Sequence, residues 1–335
     1  MTFAALSDAV PSSKATRPIV RIRNIEMEYR STSGNARILD DLVLDVMPGA
    51  IVGVVGESGS GKSTLALAIA RLTAPTLQLV GGDIEVDGRS VFSLNGRELR
   101  ELRRSRMGFV FQNPMVALDP TKRVRDQILF AMDEPSMEGV DALLRSAGLT
   151  EVERVAASYP HELSGGMAQR AVIAAAIARH PEILIADEPT ASLDATVRHQ
   201  VLETLVGLCR SLNSSMLLLS HELRVVSAVC DVVAVVYAGR VVEFGPAGEV
   251  FGTPRHPYTK ALLSASPGAE RPGAVLSPIP GLPPIMSGRV RGCAFSERCP
   301  TAREICTTDR PPIRGDRVHR SLCHNVGGEE VTADV

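Results

Sequence analysis

Nine consecutive residues, Gly56-Glu57-Ser58-Gly59-Ser60-Gly61-Lys62-Ser63-Thr64, have the makings of a phosphate cradle. Their spacing fits G-x-x-x-x-G-K-[ST]. Glycines let backbone N–H groups converge on phosphate oxygens, and the helix that follows adds partial positive charge at its N-terminus. Lys62 is expected to bridge the two outer phosphates of a nucleoside triphosphate, and the Ser63 hydroxyl to ligate Mg²⁺.

A second group of residues supplies acids. The apolar run Ile183-Leu184-Ile185-Ala186 ends in Asp187-Glu188-Pro189. In open α/β sheets ligands gather at the carboxyl ends of strands, so both acids are expected near the phosphates. Asp187 suits Mg²⁺, directly or through water, and Glu188 can polarise an attacking water as general base. A third group is Leu163-Ser164-Gly165-Gly166, ahead of the nearly all-apolar helix expected over Met167 to Arg179. Ser164 is a natural N-cap there, and the glycines again expose N–H groups at a positive helix end. The chain thus carries two anion-ready helix starts but one phosphate loop. Either the second is a plain cap, or it closes over a nucleotide held by another subunit.

The last candidates are cysteines. Cys293, Cys299, Cys306 and Cys323 are separated by 5, 6 and 16 residues, without the close pairs that structural zinc sites use. From Arg289 to Arg320 there are eight Arg against four acids, an excess that favours thiolates. Four thiolates from an irregular loop suit an iron–sulfur cluster; zinc aided by His319 or His324, and free thiols, are the competing readings. Cys209 and Cys230 read as core residues.

The elements that must hold these groups are legible from patterning. Val20, Ile22, Ile25, Met27 and Tyr29 alternate with charged residues, as do Leu42, Leu44 and Val46, and Asp87-Gly88 is a hairpin signal; the opening third is therefore expected to contain antiparallel strands. Ala50 to Val55, Ile183 to Ala186 and Ser215 to Leu219 are short apolar runs of the kind buried on both faces of a parallel sheet. Helical, charged sequence fills Gln112 to Ser164, a helix is expected over Ala195 to Leu212, and a hairpin over Val232 to Phe244. The alternation is that of an α/β domain.

Composition narrows the class. The 335 residues carry 36 Lys+Arg against 38 Asp+Glu, a net charge of −2. That balance argues against a nucleic-acid partner. No stretch reaches the ~18 apolar residues of a membrane span, and Met1 to Ala15 lacks the pattern of a secretory signal, so a cytosolic location is expected. Half of the 22 prolines and four of the six cysteines fall in the last 82 residues, where the Pro-rich stretch Ser277 to Gly288 is expected to be an extended connector to a small cysteine-bearing unit.

The phosphate loop, Gln112 in Phe111-Gln112-Asn113-Pro114, the LSGG stretch, Asp187-Glu188, Ser192-Leu193-Asp194 and Ser220-His221 stand in an order and spacing that resemble ABC ATPases over about residues 18–250. The resemblance implies a head-to-tail dimer sandwiching two ATP molecules, with Ser164, Gly165 and Gly166 acting on the partner's nucleotide. It implies that Gln112 senses Mg²⁺ and couples to a membrane partner, that Asp194 lies at the dimer seam, and that His221 contacts the γ-phosphate. Tyr29 would stack on adenine, although an exposed strand tyrosine reads equally well. GESGSGKS, QNPMVALDP, IADEPTASLDATV and above all RHPYTKALLSASP at 255–267 are similar to ATPase subunits of dipeptide/oligopeptide importers. Ala168 stands where that branch commonly has a basic residue, and Glu222 replaces its usual Asp.

The fold so implied is α/β: a P-loop NTPase core of mixed sheet with an antiparallel subdomain and a helical insertion at about 113–163, plus a small irregular Cys-rich C-terminal domain. The expected division is a flexible leader at 1–17, the ATPase at 18–254 and the extension at 255–335. Members of the resembled branch carry a four-cysteine [4Fe–4S] site in this region, which implies one at Cys293, Cys299, Cys306 and Cys323. The implied partners are two transmembrane permeases and a second ATPase subunit, a sister chain or a copy of itself, with a solute-binding protein further off. The implied location is peripheral, on the cytoplasmic face of the cell membrane. The competing reading is a non-transport ABC ATPase acting on ribosomes or DNA.

Overall fold

The computed structural model describes residues 17–31, 34–266, 278–284, 288, 290–316, 318–327 and 329–330. The expected leader therefore lies outside the described residues except for Arg17, as does part of the Pro-rich connector.

Two sheets organise the described residues. The smaller is antiparallel, in the order Gly34–Val46, Val20–Ser31, Leu77–Val86, Arg89–Ser90. Its expected hairpin forms where Val86 pairs with Arg89. Asp87 and Gly88 have φ of 49° and 68°, the double positive φ of a tight two-residue turn. The larger sheet runs Arg240–Pro246, Val232–Tyr237, Ile51–Val55, Ser215–Leu219, Ile183–Asp187, Met107–Val110, the last five parallel. All five residues of Ile51–Val55, of Ile183–Asp187 and of Ser215–Leu219 are buried. The reason is visible in the two apolar cores. Ile51 and Val55 face one core with the helices, while Val52 and Val54 face the other with the antiparallel sheet and the helix Lys62–Ile69.

The expected helical segment contains Pro114–Ala117, Val124–Ala131, Met137–Ser146 and Val152–Ala157. The helices Gly165–Ile177 and Ala195–Ser211 begin where Ser164 and Asp194 accept backbone N–H bonds as N-caps. An unforeseen helix, Gly96–Arg106, begins with a capping box in which Asn95 and Glu98 satisfy each other's backbone N–H groups.

The C-terminal segment differs from the separate unit expected of it. Arg320–Leu322 pairs with Arg240–Pro246, Ile313–Gly315 pairs with Arg320–Leu322, and Glu329–Glu330 adds beyond them, so the tail prolongs the ATPase sheet. Phe295 shares the main core, its ring 5.3 Å from Tyr237 and 5.4 Å from Tyr258. Polar ties add to this. Asp40, fully buried, accepts from Arg240 at 2.9 Å and Arg310 at 3.2 Å, and buried Glu243 contacts His319 at 2.7 Å. Proline keeps the connector from being helix, but the segments beyond it still find a free sheet edge to complete.

Candidate functional site

The phosphate loop leaves Ile51–Val55 at the carboxyl end of the sheet and enters Lys62–Ile69. Gly61 has φ of 104°, and a Cβ at Gly56 would lie 2.1 Å from Val236 O, so neither position admits a side chain without displacing backbone. Lys62 Nζ donates to Gly56 O at 2.7 Å and Glu57 O at 3.0 Å. Burial lowers the pKa of Lys62, opposed by the charges of Glu188, Asp187 and Glu57. Ser60 is buried, Ser58 and Gly59 are exposed, and Thr64 lies between.

Ser63 Oγ donates to Asp187 Oδ1 at 3.0 Å, bringing together the two residues expected to hold Mg²⁺. Burial raises the pKa of Asp187, the Ser63 hydrogen bond opposes that rise and the charge of Glu188 adds to it. A carboxylate so placed gains from a cation that would hold it ionised, so the donor set fits Mg²⁺.

Glu188 takes a φ of 45°, and its N–H donates to Leu219 O at 3.0 Å. The turn presents its carboxylate to two groups from other loops. Gln112 Nε2 lies 3.4 Å and His221 Nδ1 3.1 Å from Glu188 Oε2. Gln112 follows Met107–Val110 and His221 follows Ser215–Leu219, so three neighbouring strand ends deliver the three side chains.

Other expected residues stand apart within the chain. Ser164 caps its helix through Met167 N–H at 3.3 Å and, with Gly165, is exposed; Gly166 is half-buried. Exposed Asp194 accepts from Thr196 and Val197 N–H at 3.1 Å. Tyr29 is 44% exposed on the antiparallel sheet. Ser164, Gly165 and Asp194 thus face outward, where a second subunit could meet them.

Gln169 and Arg298, not singled out from the sequence, and Glu222, noted there only as a departure, support the site. Buried Gln169 donates to Phe111 O at 3.5 Å, tying the LSGG helix to the residue before Gln112. Glu222, the departure noted beside His221, binds Arg198 at 2.7 Å, and Arg198 also reaches Leu193 O. Arg298 forks onto Glu57 at 2.8 and 3.0 Å. Contacts spanning 24 to 241 residues leave no periodic trace for a sequence reading to find.

Cys293, Cys299, Cys306 and Cys323 line one small pocket with His256, Phe295 and His324, and all four are free thiols. Burial, with the neighbouring cysteines, pushes the Cys293 thiol up to about 11. The expected ready-made cluster site is not met in full. Among the described residues no three Cys, His, Asp or Glu side chains are disposed to hold a metal ion. His319 is turned away onto Glu243.

A phosphate loop on a mixed sheet, an acid pair at a neighbouring strand end and a serine-capped, glycine-containing helix start exposed at the surface define an ATP-binding cassette. Residues 39–191 match the family described as ABC transporter, and residues 242–306 the oligopeptide/dipeptide transporter C-terminal region. The chain is 38% identical over 312 residues to the oligopeptide transport ATP-binding protein OppD of Salmonella typhimurium, covering 91% of this chain and 92% of that protein. It is 39% identical over 319 residues to the probable D,D-dipeptide transport ATP-binding protein DdpD of Escherichia coli, covering 92% and 97%. A solved dimeric ATP-binding cassette in a post-hydrolysis state with ADP and phosphate superimposes with a TM-score of 0.61 at 26% identity, over 68% of this chain and 98% of that one. The chain belongs to the ATP-binding subunits of peptide-type ABC transporters and is an ATPase. These matches support transport over the ribosome- or DNA-acting alternative. Among the described residues no helix is long and apolar enough to cross a membrane.

Proposed function

We propose that this chain powers import of peptides or chemically related small solutes, closing over ATP with a second ATPase subunit and driving two membrane permeases. The observation that carries the catalytic part is the convergence of Gln112, Glu188 and His221 beside the phosphate loop. Lys62 would leave the loop carbonyls for the outer phosphates, and Ser63 with Asp187 would hold Mg²⁺, which neutralises phosphate charge. Glu188 would accept a proton from the attacking water, with Gln112 and His221 fixing its orientation. His221 would also reach the γ-phosphate, and Tyr29 would stack on adenine. Ser164, Gly165 and Gly166 would act on the nucleotide of the other subunit, with Asp194 at the seam.

The permease contact is assigned to residues 113–160. Val116 is 80% and Phe130 88% exposed there, with Met115 and Met137 partly so. Exposed apolar groups of this size suit a protein interface, and the segment begins next to Gln112, which relates docking to the ATP site. On this reading the chain is peripheral at the membrane, and the solute-binding protein acts through the permeases.

The four cysteines are proposed to hold a [4Fe–4S] cluster. What supports this is that all four line one pocket, the number and kind of donor a cluster takes, and they would have to draw together around it; Asn325 and Arg303 N–H groups point at Cys323 and Cys306 Sγ, at 3.4 and 3.5 Å. Anaerobically purified protein should contain about four iron atoms per chain and absorb broadly in the visible. A colourless preparation with stoichiometric zinc contradicts it.

Transport is tested in proteoliposomes holding the chain, its permeases and sister ATPase. ATP-dependent uptake of a labelled peptide, lost with Glu188→Gln, supports the reading; ATP hydrolysis indifferent to permease and peptide opposes it.

A further inference from the structure

The phosphate loop is gripped from outside. Glu57 is held at its carboxylate by both terminal guanidinium nitrogens of Arg298, and its N–H donates to Tyr258 Oη at 2.8 Å. Arg298 comes from the cysteine-bearing segment and Tyr258 from the helix Pro257–Ser264, both far along the chain from the loop.

Arg298 is itself rigidly mounted. Its side chain is 5% exposed, Nε donates to Pro280 O at 2.7 Å and Nη1 to Tyr237 Oη at 3.2 Å. The guanidinium lies 5.8 Å from the Tyr237 ring centre and 5.9 Å from that of Phe295. Tyr237, Tyr258 and Phe295, three of the chain's twelve Phe and Tyr residues, thus form one aromatic block beneath it. A planar fork fixed on a packed block sets orientation as well as charge, because two parallel N–H···O bonds fit one arrangement of the carboxylate.

We propose that Arg298 is a positioning residue for ATP binding: with Tyr258 it holds Glu57, and through it the phosphate loop, in the shape that receives the nucleotide. A tail meant only to cap the sheet edge has its tie to Asp40 through Arg310 and its strand pairing through Arg320–Leu322. The grip on Glu57 adds nothing those ties need, but it acts five residues before Lys62, whose ammonium donates to the Glu57 carbonyl. Cys299 follows Arg298 directly, so the segment bearing the cysteines also bears the clamp. The assignment holds whatever the cysteines bind.

The test is a thermodynamic cycle in the full-length protein: Arg298→Ala, Glu57→Gln and the double variant, with Arg298→Lys as the conservative control. Affinity for a fluorescent ATP analogue, steady-state KM and kcat, and the melting temperature are read for each. Loss of one charge-assisted fork predicts Kd and KM raised about tenfold with kcat at saturating ATP nearly kept. The double variant is no worse than either single one, and Arg298→Lys recovers part of the loss, since charge returns without the fork. A folded Arg298→Ala protein with unaltered affinity, or losses that add in the double variant, overturns the proposal. Should Arg298→Ala not fold, Glu57→Gln decides alone: unaltered affinity overturns it. Iron or zinc content measured on the same samples reports the cysteine site separately.

Discussion

His221 Nδ1 and Gln112 Nε2 meet the same oxygen of Glu188, Oε2, at 3.1 and 3.4 Å. The carboxylate is aimed by a left-handed backbone at Glu188 and by its N–H bond to Leu219 O. With Oε2 anchored by two polar groups, Oε1 is the oxygen that would take the water's proton in the proposed mechanism.

His221→Ala should therefore act on turnover more than on binding. General-base alignment is worth about 10²-fold or more, so kcat should fall by that order while ATP affinity changes little. ATPase assays beside equilibrium binding check this; a matching rise in Kd would point to a ground-state role.

Lys62→Ala removes the ammonium that now rests on Gly56 and Glu57 carbonyls. ATP affinity should fall at least tenfold, the effect of losing ~1.4 kcal/mol of phosphate contact. Ser63→Ala should instead weaken the dependence on Mg²⁺, read by titrating the metal at fixed ATP.

Asp40 is fully buried and accepts from Arg240 and Arg310. Removing one partner of a buried ion pair leaves uncompensated charge, so Asp40→Ala should cost about 3–5 kcal/mol in stability. Denaturant unfolding measures it, with the tail expected to loosen first because Arg310 loses one of its two carboxylate partners, keeping only Asp41.

Burial holds the His256 pKa down to about 4, against an ordinary 6.5, and its Nδ1 accepts Tyr258 N–H at 3.0 Å. For a base with a depressed folded pKa, the unfolded chain binds a proton before the folded one does. Stability is thus unaffected above pH 6.5 and falls as pH drops from 6.5 towards 4, by up to about 3 kcal/mol. His256→Asn, which can keep the cap at Tyr258, should flatten this dependence in melting curves; an unchanged slope would assign it to carboxylates.

The loop from Gly56 to Thr64, the acids at 187–188 and the doubly buried strands were legible because local spacing and apolar runs carry them. Each side chain there is positioned by its own strand end. The tail was not. The prolines of the connector argue against a helix there, yet three-residue strands such as Arg320–Leu322 form only because Arg240–Pro246 offers an edge. Local composition says what a segment cannot be, not where it docks. Arg298 and Glu57, 241 residues apart, show the same limit at the ATP site itself.

The proposed hydrolysis depends most on Glu188 as the base. Glu188→Gln should keep ATP affinity within a few-fold of wild type, lose about 10²–10⁴-fold in hydrolysis, and accumulate an ATP-bound closed dimer, with the second ATPase subunit present, by size-exclusion chromatography. Hydrolysis near the wild-type rate would contradict that role, because some other group would then be activating the water.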